Sequence, residues 1–508
     1  MESDAVYLDG SGLRPADVVL VARGRRRARL SPEALAANAA AASVLDEILG
    51  RGEPLYGVTT GVGVLRTHDI DPRERPDSQL RLLRSHAGGG GALLPDDLVR
   101  ATMVVRANQL GAGGAGVSPG LFSALIAALN ADLIPEVREL GSLGTGDLSV
   151  LAEIALALLG EGRMRRGGIS TTALRALASE GLSAPTLGPR DGIGFMSSNA
   201  ATIGAAALVA HDARRLLDAT LAVAALSFDA ADADPAVLDP RVHAARPHPG
   251  QVEVAGRLRA LTGERSERHR KSGRPVHDPY AFRCLPQVDG PTLTALEQLE
   301  EVLAVELNAA AENALLVAAD GVALPNGNFH AGVLALALDG LCAALAQSAS
   351  LVAARVSALL DPTVTGLPAM LAERPGADSG AMVLEYTVHS AAAAVRALAV
   401  PLSSQFVSVS AGVEAHGSLA GHAAARAATA VDRMADAVAA ELVVAVRALQ
   451  MGGEQAIVGG DARRLLTTAV AQLDAELGER PHADDVATAR RLIMRSAPAE
   501  HPVAGAPR

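Results

Sequence analysis

Two short stretches of this 508-residue chain carry residue types that chemistry needs. Tyr56-Gly57-Val58-Thr59-Thr60-Gly61-Val62-Gly63 places a phenol beside backbone free enough to approach a ligand closely, as an acid/base tyrosine requires. A plain turn around a buried tyrosine has the same composition, so the stretch alone leaves both readings open. The second stretch, Gly141-Ser142-Leu143-Gly144-Thr145-Gly146-Asp147-Leu148, sets a hydroxyl between two glycines.

Further motifs follow in order: Ser85-His86 with Gly88 to Gly91, Arg106-Ala107-Asn108-Gln109-Leu110, Phe228-Asp229, Arg246-Pro247-His248-Pro249-Gly250-Gln251, Asp278-Pro279-Tyr280-Ala281-Phe282-Arg283, and Gly327-Asn328-Phe329-His330. In order and spacing this series resembles the histidine and phenylalanine (aromatic amino acid) ammonia-lyase superfamily over essentially the entire chain. A collinear series is far more specific than any one motif. The resemblance implies an all-α fold, a long-helix bundle of the ammonia-lyase/fumarase-like type. It also implies a homotetramer whose active sites are each assembled from several subunits, and a small amino-acid-like substrate.

Position by position, Tyr56 matches the family's catalytic base, which takes the β-proton beside the departing amine. Arg283, with Tyr280 nearby, matches the clamp on the substrate carboxylate, a task suited to a planar guanidinium with paired donors. Glu414, in Gly412-Val413-Glu414-Ala415-His416, matches a glutamate near the amine or imidazole end of the substrate. His86 corresponds to the position touching the distal end and resembles the histidine-specific branch. Asn328 and Phe329 match pocket residues, although a lone ring residue is more often packing. The resemblance thus assigns Tyr56, Tyr280, Glu414 and Thr145 to catalysis, and His86, Ser197, His277, Arg283, Asn328 and Phe329 to substrate binding.

Three departures concern one element. The family loop reads Gly-Ser-Val-Gly-Ala-Ser-Gly-Asp-Leu, and its Ala-Ser-Gly becomes a methylidene-imidazolone. Here the loop is one residue shorter and offers Gly144-Thr145-Gly146. The family's Asn-Gly-Thr, whose asparagine supports the ring, reads Ser197-Ser198-Asn199, and the glutamine before Asp-Pro-Tyr is His277. Dehydrated threonine would give a methyl-substituted, bulkier and less electrophilic alkene. The chain is therefore expected to lack the prosthetic group and to use Tyr56 in elimination, cyclisation or isomerisation. The alternatives are an ordinary histidine or aromatic ammonia-lyase with a Thr145-derived ring, and a non-catalytic binding subunit.

Composition narrows the field further. The net charge of −11, with acids and bases interspersed, argues against a phosphate-backbone binder, and no nucleic-acid partner is expected. The arginines from Arg23 to Arg29 are read as a solvated turn before a helix start at Ser31-Pro32-Glu33, and the run from Arg265 to Arg274 is read likewise. Cys284 and Cys342 show no CxxC or His-paired spacing, so neither a disulfide framework nor a metal site is expected and a reducing cytoplasm fits. The acidic start Met1-Glu2-Ser3-Asp4 and the lack of a long uncharged apolar run speak against secretion and against a membrane span.

With 2% aromatic residues and no tryptophan, the core must be built from small aliphatic side chains at close helix contacts. Apolar residues at three and four spacing predict long helices over Ala200–Leu226, Pro291–Val317, Phe329–Leu359, Ala381–Val400 and Gly417–Met451. The expected organisation is a glycine-loop N-terminal subdomain over 1–192, a helix bundle over 193–495 and a disordered tail over 496–508.

Overall fold

A computed structural model describes residues 5–263, 276–453 and 456–495. The arginine run near 265–274 and the tail over 496–508 lie outside the described residues. The chain is mostly helical, with short two- and three-stranded sheets between helices, which makes it an all-α long-helix fold.

The long helices span Ala200–Ala230, Leu285–Glu306, Gly332–Leu360, Met382–Leu398 and Ala420–Gly452. The stretch expected as one helix over 291–317 is instead a helix that starts at Leu285, carries Pro291 in its interior and ends at Glu306. Leu315–Val317 then pairs as a short antiparallel strand with Val322–Leu324. Beyond Glu306 the chain leaves the helix and carries Glu312 inward as the buried partner of Arg106. At the other end of the chain, the Ser31 hydroxyl accepts the Ala34 N–H and Pro32 takes the first turn, so helix Pro32–Gly50 begins where its cap signature lies.

Two compact units interleave in sequence. The first holds residues 1–211, 299–338 and 401–425, and the second holds 212–298, 339–400 and 426–508. This is a different division from a single boundary near residue 193. Each unit returns to itself through helices that the other unit shares in sequence.

The second unit is pinned by buried polar groups drawn from four helices. Arg355 donates to both oxygens of Glu441 at 2.6 and 2.9 Å, and both side chains are fully buried. The Ser227 hydroxyl donates to the same carboxylate, and the Ser348 hydroxyl donates to buried Asp289. Burial pushes the Asp289 carboxyl above its ordinary range, against the opposing pull of Arg355. Alanine and leucine interdigitation sets how close these helices lie, and the charge pair fixes their register.

The stretches Asp191–Ala230 and Gly332–Leu360 are long and apolar enough to cross a membrane, but 94% and 67% of their most apolar windows are buried within the fold. Their hydropathy is accounted for by packing.

Glu441→Leu should strand the Arg355 guanidinium without its partner and cost about 3–5 kcal/mol in denaturant unfolding. The double variant Arg355→Met/Glu441→Leu should recover most of that loss, and a double variant as unstable as the single one would contradict the assignment.

Candidate active site

The loop over 141–147 is held at both ends by one carboxylate. Buried Asp147 accepts from the Ser142 hydroxyl and from the backbone N–H and hydroxyl of Thr202, while its own N–H donates to the Ser198 carbonyl. Burial pushes the Asp147 carboxyl above the usual range, and the hydrogen bonds from Ser142 and Thr202 oppose the shift. Between these anchors the Gly146 N–H donates to Asn199 Oδ1 at 2.9 Å. The Gly144 carbonyl accepts from the Ser418 hydroxyl at 2.8 Å and from the Ala331 N–H at 3.2 Å. Thr145 is half-buried, and its hydroxyl makes no hydrogen bond among the described residues.

Gly144 has φ +79°, and a Cβ added there would collide with Ser418 Oγ and lie 2.9 Å from the Ala420 nitrogen and 3.0 Å from the Leu419 nitrogen. Only glycine suits both the dihedral angle and the space.

Tyr56 and Glu414 come together around Gly63. The Gly63 N–H donates to the Tyr56 phenol oxygen at 2.9 Å, which aims a half-buried ring whose body packs on the core cluster of Leu45, Val58 and Ile193. A Cβ on Gly63 would meet Ser410 Oγ at 2.6 Å and would stand 3.6 Å from Glu414 Oε1, so the bare backbone lets the two segments close. The Ser410 hydroxyl also accepts the Val64 N–H at 2.9 Å. Glu414 opens the short strand Glu414–Gly417, which leads directly to Ser418 and hence to the Gly144 carbonyl.

His86 ends helix Arg75–His86. Its Nδ1 faces the Leu82 carbonyl at 2.9 Å, which assigns the proton to Nδ1 and leaves Nε2 as an open acceptor. The glycines that follow run beside the loop, with Gly89 Cα 3.7 Å from a Cβ position on Gly141. The Phe329 carbonyl accepts from Asn199 Nδ2 at 2.6 Å, so one asparagine joins this segment to Gly146. Asn328 is exposed and its N–H donates to Asn326 Oδ1. The Ser197 hydroxyl accepts the Asn313 N–H at 3.0 Å.

His277, Tyr280 and Arg283 belong to the second unit. His277 is exposed, Tyr280 is 68% exposed, and the Arg283 guanidinium lies 4.9 Å from the Tyr280 ring centroid. Arg283 forms no ion pair among the described residues. A guanidinium held against a ring without a carboxylate of its own is free to bind one.

Several contributors have no role in the sequence reading. Asn199, two residues beyond the serine that stands in the family asparagine's place, makes the contact to the loop. Ser418 and Ser410 carry no motif, because a serine hydroxyl becomes informative only when a carbonyl or an N–H is brought to it. His330 is visible in Asn328-Phe329-His330, and His416 is read with Glu414 as a pocket residue by alignment, but only the fold pairs the two histidines, at 3.0 Å.

Tyr56, Glu414, His86 and Phe329 are thus carried on segments that lead to a clamped glycine loop in a long-helix fold. The family model for aromatic amino acid lyases matches residues 13–472. The chain is 36% identical over 456 residues to the histidine ammonia-lyase of Treponema denticola, covering 89% of this chain and 90% of that protein. Its fold is similar to the crystal structure of the ergothioneine-degrading enzyme ergothionase from Treponema denticola in complex with desmethyl-ergothioneine sulfonic acid. That match has a TM-score of 0.90, 26% identity and coverage of 96% and 98% of the two chains. It is also similar to the phenylalanine aminomutase of Pantoea agglomerans, with a TM-score of 0.91, 26% identity and coverage of 97% and 99%. The chain belongs to the aromatic amino acid lyase family and is an enzyme of the carbon–nitrogen lyase type.

Gly144→Ala, which places the family's alanine in this loop, should lower stability by about 1–3 kcal/mol through overpacking at an unfavourable φ. Thermal melting of the full chain measures it. Ser418→Ala should not rescue the variant, because the Leu419 and Ala420 nitrogens still crowd the new methyl group.

Proposed function

We propose that this enzyme eliminates the nitrogen substituent of an amino-acid-derived carboxylate by acid/base chemistry at Tyr56, without a methylidene-imidazolone. The observation that carries the proposal is the commitment of the Gly144-Thr145-Gly146 backbone. Ring closure would need the Gly146 nitrogen to give up its hydrogen bond to Asn199 and the Gly144 backbone to shift from the position that Ser418 and Ala331 hold. A side chain at 144 has no room, and Thr145 would carry an extra methyl on any alkene. These residues do not fit the group.

In the proposed reaction Arg283 grips the substrate carboxylate with paired donors, and Tyr280 stacks on the guanidinium and orders it. The Tyr56 oxygen takes the proton on Cβ, the Cβ–H electron pair becomes the carbon–carbon double bond, and the Cα–N pair leaves with nitrogen. Glu414 holds the end of the substrate nearest Gly63. His86 Nε2 supplies an acceptor toward the distal group, with Asn328, Phe329, Ser197 and His277 as further pocket residues. The family resemblance implies a homotetramer whose active sites are each assembled from several subunits, and Arg283 and Tyr56 are proposed to meet across subunits.

The absent electrophile favours a particular leaving group. A primary ammonium near a base loses its N–H proton before any carbon acid does, and the resulting amine does not depart. A fully alkylated nitrogen has no such proton. Ergothioneine, on which the similar ergothionase acts, carries a trimethylated nitrogen. Ergothioneine-like betaines are therefore the substrates that the ring-free reading favours, while histidine belongs to the reading with a Thr145-derived ring.

Intact mass spectrometry should return the unmodified chain mass, and a deficit of two waters would overturn the ring-free reading. Tyr56→Phe should lower turnover of the accepted substrate, histidine or ergothioneine, by about 10²–10⁴-fold while melting stays unchanged. Mixed oligomers reassembled from inactive Tyr56→Phe and Arg283→Ala chains should regain part of the activity if the two residues meet across subunits. Mixtures as dead as their components would count against that assembly.

A further inference from the structure

His330 and His416 form a directed pair. The Gly332 N–H donates to His330 Nδ1 at 3.2 Å, so in the neutral ring the proton is on Nε2. That Nε2 lies 3.0 Å from His416 Nδ1, which must then accept. The remaining His416 nitrogen, Nε2, carries a hydrogen and has no partner among the described residues. The two rings are tilted by 45° with centroids 5.1 Å apart, and Phe406 stacks on His416 at 5.5 Å and 10°. His416 is thus fixed in tautomer by one neighbour and in plane by two, although its ring is exposed.

The backbone on both sides of the pair serves the loop over 143–146. Phe329 and Ala331 flank His330 and bond to Asn199 and to the Gly144 carbonyl, and Ser418 follows two residues after His416. Glu414 and His416 both belong to the strand Glu414–Gly417, whose pairing with Val407–Val409 carries a register shift. A carboxylate acceptor and an N–H donor therefore lie within three residues of one another on the segment that leads to Ser418.

We propose that His416 is a specificity-determining hydrogen-bond donor, with His330 as its positioning residue. Together with Glu414 it selects substrates whose β-substituent is an azole bearing both an N–H and an acceptor atom over those bearing a plain phenyl ring. The N–H of such a ring donates to Glu414, and its acceptor receives the His416 Nε2–H. A phenyl ring would leave both groups desolvated and unpaired, which is the stronger half of the discrimination. The inference rests on the placement of Glu414 in the substrate site.

Calorimetric titration of the full-length protein with imidazole acrylate and with phenyl acrylate tests it without relying on turnover. The wild type should bind the imidazole compound more tightly. His416→Ala should weaken that binding about tenfold and leave phenyl acrylate unchanged. His330→Gln keeps an N–H donor toward His416 Nδ1 and should preserve the preference, whereas His330→Leu should lose it, with melting recorded for each variant. A wild type without preference, or a preference that survives His416→Ala while Glu414→Ala abolishes it, overturns the role of the pair alone. Failure of the wild type to bind either acrylate, or binding unaltered by Glu414→Ala, overturns the placement of Glu414 and the inference with it.

Discussion

The Asp147 carboxylate, buried without a cation among the described residues, is the constraint from which the site follows. A carboxylate in a medium of low polarity is tolerable only where donors surround it, and here they come from Ser142 and Thr202. Ser142 lies at the start of the loop and Thr202 on the first turn of helix Ala200–Ala230. Satisfying one charge therefore fastens the glycine loop to the start of that helix. Once fastened, the loop offers its free carbonyl and N–H groups to whatever packs on it. The segments around 199, 330 and 418 answer with Asn199, Ala331 and Ser418.

Bonds to Asn199, Ser418 and Ala331 hold Gly144 and Gly146 still. The same bonds deliver neighbouring side chains to fixed places: Phe329 and His330 on one strap, Glu414 and His416 on the other. A backbone held in this way presents its side chains in set positions. Deeper support comes from Arg106, fully buried with Glu312 at 2.8 Å, and from Arg190, whose guanidinium burial pushes down to about 10.

The legibility of the site followed the kind of interaction involved. Tyr56 could be singled out because a phenol between glycines needs its surroundings explained, and the fold supplies the explanation in the Gly63 N–H. Glu414 was found through its alignment with a family position, and its approach to Gly63 gives that position a physical neighbour. Asn199 was passed over in favour of Ser197 because a sequence shows what replaces a residue but not which neighbour takes over its hydrogen bond. The helix expected over 291–317 failed for a similar reason: apolar spacing continued past Glu306, and only the fold shows Glu312 carried inward to the buried Arg106.

By itself the sequence determined the long-helix fold, since apolar spacing over twenty to thirty residues records which face is buried whatever it is buried against. It also determined the family, since a collinear series of motifs does not depend on where each one points. Tertiary structure alone decided that Gly144 has no room for a side chain, that Asn199 and Ser418 hold the loop, and that His330 fixes the tautomer of His416. Each of these is a contact between residues tens to hundreds of positions apart, and its direction and distance exist only after the chain has closed on itself.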